Sequence, residues 1–247
     1  MAESKETLLR VCAWLIHLYT AAGVVVAFFA IEDVARGDFQ GAFLLMAAAV
    51  FIDSTDGPLA RAARVRERAP IFDGATLDNI VDYLNYVAVP VFLMHRAHLL
   101  ATNDIGWWVA ALVLIASAYA FCRTDAKTGD GYFRGFPSYW NLVALYLYCL
   151  DWPHALNTVV IFVLAVMEFA PLKFIYPNRT APLRSLTLGL AIIWGVITVA
   201  MLFQLPRVNP ILLYTSLTFI VYYFLMSFAL QAASAFEKET SEMSISR

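Results

Sequence analysis

The stretch Asp53-Ser54-Thr55-Asp56-Gly57-Pro58-Leu59-Ala60-Arg61, followed after twelve intervening residues by Gly74-Ala75-Thr76-Leu77-Asp78-Asn79-Ile80-Val81-Asp82, decides how this chain is read. Its four aspartates fall at i, i+3 and at i, i+4 in two runs that otherwise have the apolar character of membrane helices. At about 100° of rotation per residue, Asp53 and Asp56 lie roughly 60° apart on one helix face, and Asp78 and Asp82 roughly 40° apart on theirs. A charged side chain at bilayer depth costs about 2.5–3.5 kcal/mol on insertion scales. Four such groups need a shared cation, protons or water. Carboxylate oxygens are hard ligands suited to Mg²⁺, Mn²⁺ or Ca²⁺. Four of them from adjacent helices can hold two ions, an arrangement able to clamp the oxygens of a phosphoryl group.

The residues around the acids fit an anionic substrate. Gly57 and Gly74 flank the cluster and let a phosphate or nucleotide approach the backbone. Arg61 follows Asp53 by about two turns and offers a planar multi-donor fork. On an unbroken helix, Asp53, Asp56, Gly57, Ala60 and Arg61 share an arc of roughly 140°. Pro58 removes one backbone donor and is expected either to kink the span or to start a new turn. The plainer alternative is that the aspartates only pair with loop arginines at the membrane edge. Two glycines and an arginine in helical register weigh against it.

Composition sets the frame. The 247 residues are 61% hydrophobic and 15% charged, against about 45–50% and about 25% in soluble domains. Mean hydropathy is +0.68. These values exclude a soluble domain and predict an all-α integral membrane protein. The net charge of −2 is uninformative compared with where the charges lie. The three cysteines, Cys12, Cys122 and Cys149, lie far apart in apolar runs and form no disulfide framework or zinc motif. The first apolar segment is too long for a signal-peptide core and reads as a retained helix.

Apolar segments fall at about 11–31, 40–60, 75–94, 105–122, 138–150, 155–175, 186–205 and 209–233, which predicts about eight transmembrane helices. Trp and Tyr near many of the edges fit interfacial anchoring. With the N-terminus inside, fourteen Lys and Arg residues fall on cytoplasmic segments, and three, Arg36, Arg96 and Arg207, fall outside. The positive-inside rule therefore places both termini in the cytoplasm, and with them the aspartate ends of spans two and three. No repeat or linker divides the chain, so residues 1–235 read as one membrane-embedded domain. Residues 236–247 read as a polar, disordered cytoplasmic tail.

The pattern D-x2-D-G-x2-A-R, a loop, then G-x3-D-x3-D resembles the signature of the CDP-alcohol phosphotransferases. Asp53, Asp56, Gly57, Ala60, Arg61, Gly74, Asp78 and Asp82 occupy its eight invariant positions. The general likeness covers roughly the first five or six spans. The twelve-residue loop is longer than in most members and is similar to that of the bacterial phosphatidylcholine synthases. So are the span count and the stretch Phe133-Arg134-Gly135-Phe136-Pro137-Ser138-Tyr139-Trp140-Asn141.

The resemblance implies the bundle of that family, located in a bacterial inner membrane with its site facing the cytoplasm. It also implies two divalent ions, Mn²⁺ or Mg²⁺, held by Asp53, Asp56, Asp78 and Asp82. Asp82 would be the catalytic base that takes the proton from the acceptor hydroxyl. Asp53, Gly57, Ala60, Arg61 and Gly74 would hold the CDP moiety, with Thr20 near the cytidine. The donor would be CDP-diacylglycerol, the acceptor choline and the leaving group CMP. Membrane lipids are further partners, nucleic acid is not, and a homodimer rests on the resemblance alone.

Quaternary ammonium groups are recognised by aromatic faces, sometimes with a carboxylate. Tyr83, Tyr86, Tyr139 and Trp140 are the candidates for a choline cage, with Asn141 and the deep Glu168 beside them. Glu168 could offset the ammonium charge or only bond a neighbouring helix. Arg123, Lys127 and Arg134 keep open an acceptor bearing phosphate, such as glycerol 3-phosphate or an inositol phosphate, and serine is a further alternative. Lys173, Arg179 and Arg184 suit anionic headgroups. A reading from another class is a cation-coupled transporter. It predicts acids spread through the membrane rather than clustered at one depth.

Overall fold

The structure is a computed structural model that describes residues 2–126, 128–129, 131–176, 180 and 183–245, with side chains from 4 to 232 among them. Lys127 and Arg179, two of the cations singled out above, lie outside the described residues. Five helices are long and apolar enough to cross a membrane: α1 (Ala2–Arg36), α2 (Phe39–Ala62), α6 (Asp104–Cys122), α9 (Arg184–Leu202) and α10 (Pro210–Ile245). Phe28 and Phe29 on α1, Trp108 on α6, Ile192 and Val196 on α9 and Leu225 on α10 are exposed. Apolar surface on this scale is stable in hydrocarbon, not water. The protein is an integral membrane protein.

The chain folds into two compact units. The first comprises Met1–Leu114 and Tyr139–Val159. In it α1 packs along α2, reached by a turn in which Gly37 has φ +81 and Asp38 caps α2 by accepting from the Gly41 amide at 2.9 Å. α2 continues through Pro58 to Ala62, so the proline neither ends the helix nor starts a separate one. The expected basic loop contains a short helix, α3 (Val65–Arg68), which packs on α1 through Ala13, Val65 and Ala69.

The third predicted span is one helical run built of α4 (Gly74–Tyr83), a π turn (Leu84–Ala88) and α5 (Val89–Arg96). In the π turn the Val89 amide donates to the Leu84 carbonyl, five residues back. α4, the π turn and α5 all touch α1. α7 (Trp140–Leu150) packs against α5, the π turn and α2.

The second unit comprises Ile115–Ser138 and Val160–Arg247. α6 and α8 (His154–Met167) each contribute to both units. Here the all-helical expectation is corrected. Tyr132–Arg134 (β1) and Lys173–Ile175 (β2) pair antiparallel, with Phe133 opposite Phe174. The helix predicted over 155–175 stops at Met167, four residues before Pro171, and its last residues form β2. Proline cannot donate to a helix and disfavours helical backbone at the residue before it. α10 supports β2: Ser227 accepts from the Ile175 amide and the Tyr223 hydroxyl donates to the Ile175 carbonyl. α10 itself extends to Ile245, so the tail expected to be disordered is helical to that point.

Candidate active site

The first unit carries the acidic site. α2 supplies Asp53 and α4 supplies Asp78 and Asp82, and one oxygen from each lies within 4.8 Å of the others. All three carboxylates are half-buried. Among the described residues they are the group of acids, histidines or cysteines able to hold a metal ion. An all-oxygen carboxylate donor set fits a hard divalent cation and not a soft one.

Asp56 is placed differently. It is 6% exposed, and its Oδ2 accepts a 2.8 Å hydrogen bond from the Thr20 hydroxyl of α1. Thr20, expected beside cytidine, is thus joined to a carboxylate, and is itself buried. Asp53 also has a hydroxyl partner: Tyr86, in the π turn, donates to its Oδ2 at 2.8 Å.

The two motif glycines differ in their surroundings. A Cβ at Gly74 would lie 2.7 Å from Cε1 of His17. That imidazole is buried, packs 4.5 Å from the Phe72 ring, and leaves its Nε2 without a hydrogen bond. A Cβ at Gly57 would lie 3.3 Å from an Arg61 guanidinium nitrogen. Arg61 is exposed. Asp73 caps α4, accepting from the Thr76 hydroxyl and from the Ala75 and Thr76 amides. The Thr76 hydroxyl is the main cause that holds the Asp73 carboxyl below its usual range. α1 approaches α4 closely at Gly23, opposite Val81, and from the π turn Asn85 Nδ2 donates to the Gly23 carbonyl at 2.9 Å.

The aromatic candidates divide. The Tyr83 hydroxyl donates to the Leu114 carbonyl at 3.0 Å. Tyr139 is half-buried at the start of α7, next to the fully buried Trp140. Asn141 Oδ1 accepts from the Leu142 amide. Glu168 belongs to the second unit. It is fully buried and accepts from the hydroxyls of Ser117 at 2.9 Å and Ser138 at 2.7 Å. In that unit Asp125 bridges Arg123 at 2.8 Å and Arg134 at 2.7 Å.

His17, Asn85 and Ser117 were not anticipated from sequence, and Gly135 and Ser138 were quoted there with no role given to them. The available signal was modest: polar residues recurring inside apolar runs.

The sequence model of the CDP-alcohol phosphatidyltransferases matches residues 7–236, nearly the whole chain. The chain belongs to that family. Among its curated relatives in the family is a phosphatidylcholine synthase of Legionella pneumophila, 36% identical over 222 residues that cover 87% of each chain. A phosphatidylcholine synthase of Borreliella burgdorferi is 37% identical over 196 residues, 78% of this chain and 82% of the relative. One from Pseudomonas aeruginosa is 34% identical over 201 residues, 81% and 84% respectively. Membership in the CDP-alcohol phosphatidyltransferases accords with three motif carboxylates converging from α2 and α4.

Proposed function

We propose that this chain is a phosphatidylcholine synthase that transfers the phosphatidyl group of CDP-diacylglycerol to choline and releases CMP. The observation that carries the reading is the convergence of Asp53, Asp78 and Asp82 in a chain whose near-full-length relatives bear that name. The choline oxygen attacks the phosphorus next to diacylglycerol, a new P–O bond forms, and the P–O bond to CMP breaks. The Asp82 carboxylate takes the hydroxyl proton. Asp53, Asp78 and Asp82, joined by Asp56, would hold two divalent ions, Mn²⁺ or Mg²⁺. Such ions offset charge developing on phosphoryl and leaving oxygens. Gly57, Ala60, Arg61 and Gly74 form the CDP side of the site, with His17 and Thr20 on α1 behind them.

The ring faces of Tyr86 and Tyr139 are the choline-facing surfaces in this reading, with Tyr83, Trp140 and Asn141 around them. Glu168 is assigned to the turn that its two serine bonds hold. Engagement of Arg123 and Arg134 by Asp125 favours choline over an acceptor that carries phosphate. The five long helices, the run from Gly74 to Arg96 and the shorter α7 and α8 are taken as eight spans of one catalytic domain with both termini in the cytoplasm, in a bacterial inner membrane. A homodimer is part of the same proposal.

The test is CMP release from CDP-diacylglycerol by the purified chain with Mn²⁺ or Mg²⁺, using labelled choline, serine, inositol phosphate and glycerol 3-phosphate in competition. Choline should dominate the labelled lipid. Incorporation of another alcohol would keep the chemistry and change the substrate. No CMP with any of them would overturn the enzyme reading.

A further inference from the structure

The π turn Leu84–Ala88 begins two residues after Asp82, inside a helical run that otherwise has ordinary α geometry on both sides. π turns carry a hydrogen-bond penalty and recur at functional sites. This one sets the direction of Tyr86 relative to α4. Tyr83, one residue before the turn, points its hydroxyl at the Leu114 carbonyl, whereas Tyr86 reaches across to Asp53 on α2, 2.8 Å away. Asn85, between them, is buried and tied to the Gly23 and Val81 carbonyls. The turn therefore has firm anchors immediately before Tyr86, whose hydroxyl meets a site carboxylate on α2.

We infer that the Tyr86 hydroxyl is a positioning residue for Asp53, fixing one carboxylate oxygen so that the other is presented toward Asp78 and Asp82 for a divalent cation. The inference rests on the proposed metal site. Three carboxylate oxygens within 4.8 Å repel one another when no cation is bound. A hydroxyl donor on one of them relieves that repulsion without adding a net charge. It also removes the side-chain rotation that cation binding would otherwise have to freeze. Partners of this kind, which bond a ligand and not the metal, orient the ligand and set its basicity. A role for Tyr86 in choline recognition would use its ring face; this role uses its oxygen, so the two can be separated by a single atom.

The test is Tyr86→Phe in the purified full-length protein, with bound Mn²⁺ measured by loss of the free-ion paramagnetic signal. Mn²⁺ affinity should fall by about tenfold or more, while the KM for choline stays unchanged because the ring remains. Turnover of the variant should return as Mn²⁺ is raised. Tyr83→Phe should leave Mn²⁺ affinity intact, since its hydroxyl meets a carbonyl. Wild-type affinity in Tyr86→Phe, or a raised choline KM with unchanged Mn²⁺ binding, overturns the inference. Should Tyr86→Phe fail to fold, a ring-fluorinated tyrosine at position 86 keeps both ring and hydroxyl. Its fluorine resonance should shift on adding Mg²⁺, while the same label at position 83 should not; an unmoved resonance at 86 sinks the inference. The underlying metal-site reading fails separately, if the wild type and Asp78→Asn bind Mn²⁺ equally.

Discussion

The Thr20 hydroxyl on α1 donates to Asp56 Oδ2 on α2 at 2.8 Å, and both residues are buried. A threonine that the family resemblance set near the cytidine thus has a motif carboxylate as its partner. The bond separates two roles experimentally. Thr20→Val keeps the shape and removes the donor. It should weaken Mn²⁺ binding by about tenfold, whereas Thr20→Ser, which keeps the hydroxyl, should stay near the wild type. Asp56→Ala should flatten the metal dependence of turnover. If Thr20→Val raises only the KM for CDP-diacylglycerol, its contact is with the nucleotide instead.

Asp82 is the acid of the triad farthest along α4, one residue before Tyr83. Asp82→Asn retains an oxygen ligand but has no basic carboxylate to accept a proton. Loss of a positioned general base costs about 10²–10⁴-fold in rate. Single-turnover CMP formation should fall in that range, with CDP-diacylglycerol binding preserved. Turnover at the wild-type rate would remove Asp82 from this role.

Gly135 sits at φ +82, and a Cβ there would lie 2.3 Å from the main-chain oxygen of Glu168. Its amide also donates to the Leu172 carbonyl. Left-handed backbone alone costs a non-glycine residue about 1–2 kcal/mol, and the clash is with backbone that cannot rotate away. Gly135→Ala should lower the melting temperature in detergent. Gly189→Ala, where a Cβ meets nothing within 4 Å, is the control and should not. Equal melting of the two variants would show that the turn tolerates a side chain.

Asp125 is held mainly by its hydrogen bond to Arg123, which brings its carboxyl down from 3.8 to about 2. The sign follows from that depression. Whatever the link with Arg123 and Arg134 contributes is complete above the unfolded value, and is lost as pH falls from 3.8 toward about 2. Between pH 5 and 8, roughly the range in which stability is usually greatest, it should not change. A carboxyl titration by carbon-13 NMR checks this, and an Asp125 midpoint near 4 would mean the bridge does not form in solution.

The acids themselves were legible in the chain because helical phase is local. Spacings of three and four residues put Asp53 with Asp56, and Asp78 with Asp82, on shared faces whatever surrounds them. Apolar run length likewise located most of the helices, including the run from Gly74 to Arg96, but overran α8, which ends at Met167. The strand pair at Tyr132–Arg134 and Lys173–Ile175 was not legible, since three-residue strands are too short to leave a periodic signal.

By itself, then, the sequence determined that this is a membrane-embedded helical protein with four carboxylates in helical register. Only tertiary structure decided which of them meet. Asp53 joins Asp78 and Asp82, while Asp56 turns to Thr20 and Tyr86 reaches Asp53. The reason is that periodicity fixes where a side chain points on its own helix, but not how one helix is rotated against the next. That rotation is set by close contacts such as Gly23 with Val81 and Gly74 with His17, and by the π turn that redirects Tyr86.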